Sequence, residues 1–378
     1  MILTLVEIDF CKACSIVVTM KNQDSFFSYT PEGMANILQE EYKCRDFVAK
    51  QLLEWVYQRS VTDFEQMSNL PKELRQKLKE RFVMDLPTVS DSISTKESGT
   101  EKITMKLFDG KLVESVFMRE GKQATLCLSS QVGCAQACIF CATGKMGILR
   151  NLTAGEIVAQ ILLWRQRRPK DMEGGVRLVF MGMGEPFHNM NQLFKALDVI
   201  TSPLGLNIGA RKITVSTSGV VKGIYRLMEY NPQIQLAISL HSVEQAVRDR
   251  WVPNCKDRVD DILNAARDFN KKTRRKITFE MVIFGGDHIQ TSRINKIGKV
   301  LQGIHCNINL IPYNPIKELQ GNFVRPSFQE TEYFKSILKR HHKEVTVRIS
   351  KGRDIQAACG QLIPKSPDST TGSTQIKA

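Results

Sequence analysis

Three cysteines lie close together in the sequence CAQACIFC, where Cys134, Cys138 and Cys141 have the spacing C-x3-C-x2-C. Thiolates are the ligands that hold iron-sulfur clusters, and one loop can turn three of them toward a single cubane. Three cysteine ligands would leave one iron open, which is typical of a metal centre that binds a substrate or cofactor. The spacing therefore predicts a 4Fe-4S cluster with an open iron. A zinc site completed by a distant Cys or His, and thiols without a metal, are the alternatives.

A second group of candidates follows the ends of predicted strands. The turn MGMGEP would let a ligand approach the backbone at its glycines, and its Glu185 could accept hydrogen bonds from an ammonium group. Other polar turns of this kind are STSG (216–219), SLH (239–241) and YNP (313–315). Any one of them could be an ordinary turn. Their shared position predicts a binding site at one edge of the sheet.

Two cysteines outside the C-x3-C-x2-C run could also do chemistry. Cys127 lies on the first predicted strand, and Cys359 lies in DIQAACGQL, where the following glycine would leave the sulfur accessible. A small buried hydrophobic residue is the default for each. A nucleophile or carrier needs an accessible thiolate, which the sequence does not reveal.

The elements that must position these groups alternate between β-rich runs and longer helical segments. The β-rich runs are 124–129, 177–182, 212–216, 236–240, 277–283 and 307–311, followed by a seventh at 345–350. Strand and helix in alternation imply parallel pairing, because parallel neighbours need a crossover. We therefore predict an α/β fold with a partial (β/α)6 barrel over residues 124–350. A doubly wound sheet is the alternative.

Four further segments surround this predicted barrel. Residues 42–95 have apolar positions at helical spacing among Lys and Arg, which predicts a small basic helical domain. Residues 96–123 predict a hairpin linker that turns at Asp109-Gly110. Residues 1–41 form an N-terminal extension without an assignment. Residues 351–378 contain Cys359 and a polar tail that we expect to be disordered.

The composition limits the partners and the compartment. Across 378 residues, 53 Lys and Arg exceed 39 Asp and Glu, and this net charge of +14 indicates a polyanionic partner, a merely basic soluble protein being the alternative. The start, MILTLVEIDFCKACSIVV, has no basic leader and lacks the roughly 20 apolar residues that a membrane span needs. We therefore expect a cytoplasmic protein without a membrane, in which clustered cysteines bind metal or do chemistry rather than form structural disulfides.

The chain resembles the bacterial RlmN-type adenosine C2 methyltransferases. These are radical S-adenosylmethionine (SAM) enzymes that methylate 23S ribosomal RNA and, in some members, transfer RNA. The resemblance covers roughly residues 42–362, and Phe140 before the last cysteine of the run also fits the radical SAM signature. The matching motifs, in family order, are TLCLSSQVGC, the cysteine run, MGMGEP, STSGVV, AISLH, INLIPYNP and DIQAACGQL.

The resemblance implies a role for each candidate residue. Cys134, Cys138 and Cys141 would hold the 4Fe-4S cluster, whose open iron would chelate the methionyl part of SAM. Cys359 would carry a methyl group, and Cys127 would be its resolving partner. The residues that would bind the rest of SAM are Gly184, Glu185, Ser216, Ser239, Leu240, His241 and Asn314.

The implied chemistry explains why two cysteines are needed. The C2 carbon of adenine is electron-poor, so its direct attack on a SAM methyl group is not available. A first SAM would methylate Cys359, and a radical from a second SAM would convert that methyl group into a methylene radical that adds to C2. A base, either Glu114 or Cys127, would take the C2 proton, and attack of Cys127 on the Cys359 sulfur would release the product and leave a disulfide. By default, a hairpin carboxylate such as Glu114 is solvated.

The resemblance also implies partners. They are 23S rRNA, tRNA and an external flavodoxin-like or ferredoxin-like electron donor, and we expect a monomer. A target base must leave its RNA fold, so the helical domain at about 42–82, together with Arg150, Arg211 and Lys212, is a candidate RNA contact. The nearest rival is the enzyme of the chloramphenicol-florfenicol resistance type, which methylates C8 of the same adenosine. A non-catalytic iron-sulfur RNA-binding protein is the rival of another class.

Overall fold

The structure of the protein is a computed structural model. It describes residues 23–95, 99–316, 323–341, 343–348 and 352–364. Most of the unassigned extension and the tail from residue 365, for which we predicted disorder, lie outside these ranges.

The described residues form fourteen strands and twelve α-helices. The strands are β1 (Asp24–Ser25), β2 (Phe82–Val83), β3 (Thr88–Ser94), β4 (Glu101–Lys106), β5 (Leu112–Glu120), β6 (Gln123–Cys127), β7 (Gln131–Gly133), β8 (Ile148–Asn151), β9 (Val176–Phe180), β10 (Ile213–Thr217), β11 (Gln235–Ser239), β12 (Ile277–Ile283), β13 (Cys306–Pro312) and β14 (Glu344–Val347). The helices are α1 (Pro31–Glu40), α2 (Asp46–Leu53), α3 (Lys72–Arg81), α4 (Ala142–Lys145), α5 (Ala154–Arg167), α6 (Pro169–Met172), α7 (Met190–Thr201), α8 (Val221–Tyr230), α9 (Gln245–Trp251), α10 (Val259–Thr273), α11 (Thr291–Val300) and α12 (Phe328–Lys339). No described helix is both long and apolar enough to cross a lipid bilayer.

Ten of the strands form one sheet, in the order β14-β13-β12-β11-β10-β9-β6-β5-β4-β3. The strands from β6 to β14 in this sheet pair in parallel and lie side by side in the order of the sequence. A doubly wound sheet reverses its strand order at a switch point, and this sheet does not. The parallel strands therefore form the predicted partial barrel, which the seventh predicted run extends as β14.

The two faces of the parallel strands differ in chemistry, because successive side chains point to opposite sides. One face is apolar, and its buried residues in mutual register include Ile238, Phe279, Ile308 and Val345. The other face is polar, and its residues in mutual register include Ser239, Glu280, Asn309 and Thr346. The crossover helices can bury the first face as a core, and the second face is left to line the inside of the open barrel.

The predicted hairpin is present, but it is part of the barrel sheet. Strands β4 and β5 pair antiparallel around a turn in which the Leu107 backbone N–H donates to the Lys111 oxygen at 2.8 Å. Strand β5 then pairs antiparallel with β6, which places Val116 opposite Cys127. The segment that we expected to be a linker therefore adds strands to the sheet and brings Glu114 into the protein interior.

The helical region begins earlier than the expected boundary at residue 42. Helix α1 begins after Thr30, whose Oγ1 accepts a hydrogen bond from the backbone N–H of Gly33 at 3.1 Å. Phe26 and Phe27 are buried before it, and Phe27 packs so closely on helix α5 that a Cβ at Gly155 would lie 2.8 Å from the Phe27 Cβ. The boundary at residue 42 was predicted from the basic periodic segment that begins there. Phe26 and Phe27 lie before that segment, so the pattern could not include them.

Candidate active site

Most of the predicted site residues line one cavity at the carboxyl ends of the parallel strands, which we call the strand-end cavity. Its lining includes the three cysteines of the C-x3-C-x2-C run and Cys359. The predicted SAM contacts that also line it are Gly184, Glu185, Ser216, Ser239, His241 and Asn314. These residues come from turns that are far apart in the sequence, and the parallel order of the strands brings them to one place.

The loop that carries the three cysteines is held by backbone contacts. The backbone N–H of Cys134 donates to the oxygen of Gly147 at 2.8 Å, and that of Cys141 donates to the oxygen of Cys138 at 3.1 Å. Gly133 precedes the loop with a φ of 80°, and a Cβ there would lie 1.9 Å from the Gly147 oxygen. Only glycine fits this approach, so the turn fixes the direction in which the loop leaves β7.

The chemistry of these thiols fits an iron-sulfur cluster. Burial, together with the charge of a neighbouring cysteine, raises the pKa of Cys134 to about 12 and that of Cys138 well above its usual range. Cationic iron would reverse this balance, because thiolates are then stabilised by the metal. No three described His, Cys, Asp or Glu side chains converge as ligands of a single ion. Thiolates that bind three different irons of a cubane do not need such convergence.

Glu185 connects the ends of two strands. Its Oε1 accepts from the backbone N–H of Phe187 at 3.1 Å, and its Oε2 accepts from the backbone N–H of Ser218 at 2.7 Å. The carboxylate is buried at the wall of the strand-end cavity. Each oxygen has a second lone pair, so the group can still accept a hydrogen bond from a ligand ammonium group.

His241 is a neutral hydrogen-bond donor in this cavity. Its Nδ1 accepts from the backbone N–H of Val282 at 3.2 Å, so the ring proton lies on Nε2. Burial, with the nearby positive charge of Arg248, lowers the pKa of His241 to about 3. The ring meets that of Phe140 edge to face, with centroids 4.7 Å apart. Leu240, in contrast, is a core residue that does not line the cavity, because its side chain points to the apolar face.

Arg248 is a site residue that the sequence analysis missed. It is 1% exposed, and its guanidinium donates to the backbone oxygens of Ser239 at 3.1 Å, of Leu240 at 2.6 Å and of Ser218. Arg248 therefore ties the end of β10 to the end of β11, where two predicted SAM contacts lie. A lone arginine in a helix gives no sequence signal for this role.

Cys127 and Cys359 line a second cavity of about 380 Å³, which we call the two-thiol cavity. Burial and the nearby charge of Cys359 raise the pKa of Cys127 to about 12, and Arg348 partly offsets this increase. Both cysteines are free thiols in the structure. Cys359 also lines the strand-end cavity, so this residue borders both spaces.

Arg348 is the second important residue that the sequence analysis missed. It lines both cavities, and its Nη1 lies 3.4 Å from the Met181 sulfur. The negative charge of a Cys359 thiolate, and then those of Glu280 and Cys127, raise the pKa of the Arg348 guanidinium. Arg348 therefore provides positive charge beside both thiols. Arg348 directly follows β14, the last strand of the parallel sheet. A charged residue at that strand end could have been a sequence signal for a site residue.

The segment with Cys359 is fixed between the cysteine loop and the end of β13. The backbone N–H of Ala142 donates to the oxygen of Gly360 at 2.7 Å, and Asn314 Nδ2 donates to the oxygen of Cys359 at 3.1 Å. Gly360 has a φ of 84°, and a Cβ there would lie 3.1 Å from the Phe140 oxygen. Asn314, predicted to bind SAM, thus also positions Cys359.

Glu114 is buried, so the default of a solvated hairpin carboxylate is wrong. It is 2% exposed and lies on the face of β5 whose residues Met118 and Glu120 line the two-thiol cavity, although Glu114 itself lines neither cavity. Its Oε1 is 2.8 Å from Lys102 Nζ, a buried ion pair that the sequence analysis also missed. Burial raises the pKa of Glu114, and Lys102 partly lowers it again.

The predicted RNA contacts near the barrel differ in availability. Arg150 is bound to Asp109 at 2.6 Å and to Glu156 at 2.8 Å, so two carboxylates already neutralise it, and it is a poor phosphate ligand. Arg211 and Lys212 are exposed, and Arg211 donates to Gln233 at 3.2 Å. Arg211 and Lys212 therefore remain better candidates for RNA contact than Arg150.

Comparisons with known proteins agree with this geometry. The Radical SAM superfamily model matches residues 128–292, and the Ribosomal RNA large subunit methyltransferase N-terminal domain model matches residues 26–84, thus starting before residue 42. A Bacillus licheniformis protein, called a probable dual-specificity RNA methyltransferase RlmN, is 41% identical over 343 residues, 90% of this chain and 94% of that protein. A Clostridium botulinum protein with the same name is 41% identical over 344 residues, 91% of this chain and 96% of its own. The crystal structure of a radical SAM methyltransferase from Sphaerobacter thermophilus is 37% identical, with a TM-score of 0.84 over 89% of this chain and 98% of that one.

Proposed function

This chain belongs to the RlmN family of dual-specificity radical SAM RNA methyltransferases, and we propose that it methylates C2 of adenosine in 23S rRNA and in tRNA. As a family member it is an RNA methyltransferase that uses a 4Fe-4S cluster and SAM. The finer assignment concerns the target atom, the carrier cysteine and the residues that handle the proton.

One observation carries this proposal: Cys359 lines both cavities, and Cys127 lines one of them. A methyl carrier must reach the methyl donor on one side and the target base on the other. Cys359 has this position, and a second thiol is available next to it for attack on its sulfur. This arrangement supports a methyl group that passes through the protein rather than directly from SAM to RNA.

The residues of the strand-end cavity would hold the cofactors. Cys134, Cys138 and Cys141 would bind the cluster, and Glu185 and His241 offer an acceptor and a neutral donor to SAM. When bound, the cluster and SAM would supply the abstraction of a hydrogen atom, and the protein would bind and orient the reacting groups.

The two-thiol cavity would receive the target adenine. A thioether between Cys359 and the new carbon substituent at C2 must then be broken. The Cys127 sulfur attacks the Cys359 sulfur, the electron pair of the carbon–sulfur bond stays on the carbon, which takes up a proton to become the methyl group, and the two sulfurs form a disulfide. Counting from the Cys359 methylene radical, this release frees one proton and one electron. A cluster held by Cys134, Cys138 and Cys141 would supply an acceptor for this electron, and the disulfide must be reduced before the next cycle.

We assign the C2 proton to Glu114. Cys127, the alternative base, must itself lose a proton to attack sulfur, and burial holds its pKa at about 12. Glu114 is paired with Lys102 and lies on the same face of β5 as Val116, the strand partner of Cys127. A carboxylate with this counterion is the better acceptor.

The polyanionic substrate accounts for the net charge of +14. We propose that Arg211 and Lys212, with the basic helical domain, contact RNA phosphates. An external flavodoxin-like or ferredoxin-like protein would donate electrons to a cytoplasmic monomer.

Nucleoside analysis tests this function directly. Ribosomal RNA and tRNA from the reaction are digested, and 2-methyladenosine and 8-methyladenosine are quantified in each by mass spectrometry. We expect 2-methyladenosine in both RNAs. A methyl group at C8 would instead assign the chain to the resistance-type activity, and production of no 5′-deoxyadenosine from SAM would indicate a non-catalytic binding protein.

A further inference from the structure

We propose that Lys102 is a positioning residue for the base: it holds Glu114 through Oε1, so that Oε2 stays available for the C2 proton. This inference rests on the proposed role of Glu114. In the step concerned, the C2–H bond breaks, its electron pair stays on the adenine adduct, and an O–H bond forms at Oε2.

The ion pair is built into the sheet. Strand β4 pairs with β5 so that Thr104 lies opposite Glu114 and Lys102 lies opposite Val116. Residues 102, 104, 114 and 116 therefore share one face, and the long lysine side chain reaches diagonally to Oε1 at 2.8 Å. The Lys102 side chain is 8% exposed and that of Glu114 is 2% exposed, so water competes little with this contact.

The two carboxylate oxygens have different surroundings. Oε1 has Lys102 at 2.8 Å and the Thr104 hydroxyl at 3.5 Å. Oε2 is buried and has no hydrogen-bond partner within the described part of the chain. A buried acceptor without a partner costs free energy, and a catalytic role is one of the explanations for such an atom in a native structure.

Lys102 also favours the ionised form of Glu114. The groups that favour ionised Glu114 are the ammonium of Lys102, the Thr104 hydroxyl and the backbone N–H of Ile363. Burial opposes them and raises the pKa of Glu114. Lys102 is the charged member of this set, so its removal should raise the pKa of Glu114 further.

Ile363 ties this pair to the carrier segment. It lies four residues after Cys359, in a segment held at Leu362, whose oxygen accepts from Thr143 Oγ1 at 2.6 Å. The same short stretch of backbone therefore contacts the base and carries the methyl-carrier cysteine.

The test uses the cluster-loaded enzyme with Lys102→Met, Lys102→Arg and Glu114→Gln. Two rates are measured across pH: methylation of Cys359 by SAM, which does not use the base, and release of methylated RNA. We expect Lys102→Met to keep the first rate and to lose about 100-fold or more of the second at pH 7, with recovery as pH rises. A covalent adduct between RNA and Cys359 should accumulate, and Lys102→Arg should retain the rate and the pH profile.

Lys106→Met is the matched control, because Lys106 is an exposed lysine on the same strand, and it should behave as the unmodified enzyme. A Lys102→Met enzyme that releases methylated RNA at the normal rate and pH profile, while Glu114→Gln is impaired, would overturn the role of Lys102 alone. A fully active Glu114→Gln enzyme would overturn the proposed base itself. If Lys102→Met does not fold, Lys102→Gln makes the same test, since its amide can donate to Oε1 without charge.

Discussion

The buried arginine between the strand ends allows a quantitative prediction. Arg248→Met removes a guanidinium that donates to the backbone oxygens of Ser239, Leu240 and Ser218. A hydrogen bond to a charged group is worth about 1.5–3 kcal/mol, but these three bonds share one side chain and are not additive. Removal of the guanidinium would leave these buried carbonyl acceptors unsatisfied, and each such acceptor costs about 1–3 kcal/mol. We therefore expect the free energy of unfolding to fall by about 3–5 kcal/mol.

The measurement is thermal unfolding of the cluster-loaded protein, with every variant scanned at one rate because unfolding of a large protein is often irreversible. For a unit the size of the barrel, about 2–4 °C of Tm correspond to 1 kcal/mol, so Arg248→Met should lower Tm by roughly 6–20 °C. Arg250→Met is the control, because Arg250 is an exposed arginine in the same helix, α9. Equal Tm values for the two variants would refute the role of Arg248.

Three further predictions concern the thiols and the buried histidine. Cys127→Ala should leave RNA covalently attached to Cys359, visible as a slow band on a denaturing gel; RNA-free protein from cells would contradict this pairing. Cys138→Ala should lose iron and the absorbance of the cluster, whereas Cys306→Ala, a buried cysteine on β13, should keep both. The pKa of His241 is lowered from 6.5 to about 3. The contribution of the neutral histidine to the free energy of unfolding is therefore fully present above pH 6.5 and is lost as the pH falls toward 3. The variant His241→Asn, which tolerates the positive φ of 59°, should lose less stability than the unmodified protein over that range, and identical acid denaturation would contradict the assignment.

The sequence was sufficient for features that depend on local pattern. The cysteine spacing and the polar turns after each strand are local, and the parallel order of the strands then brings them together without further information. The alternation of β-rich and helical segments likewise predicted the partial barrel, because sequential parallel strands require crossovers.

Features that depend on tertiary register were missed. Arg248 and Arg348 have ordinary sequence neighbours, and only the packing of a helix and of β14 places their charges beside strand ends and thiols. The burial of Glu114 was missed because a hairpin is exposed by default, whereas β5 here continues the barrel sheet. Lys102 was predictable in principle: counting outward from the Asp109-Gly110 turn places it diagonally across from Glu114.

The path of the methyl group is the central claim, and an isotope measurement tests it most directly. The enzyme is incubated with SAM that has a fully deuterated methyl group. After several turnovers the RNA is digested, and the deuterium content of 2-methyladenosine is measured by mass spectrometry. Transfer through a methylene on Cys359 removes one deuterium, so the product should retain two of the three. A methyl group that retains all three deuterium atoms, or one that forms with Cys359→Ala enzyme, would contradict the carrier mechanism.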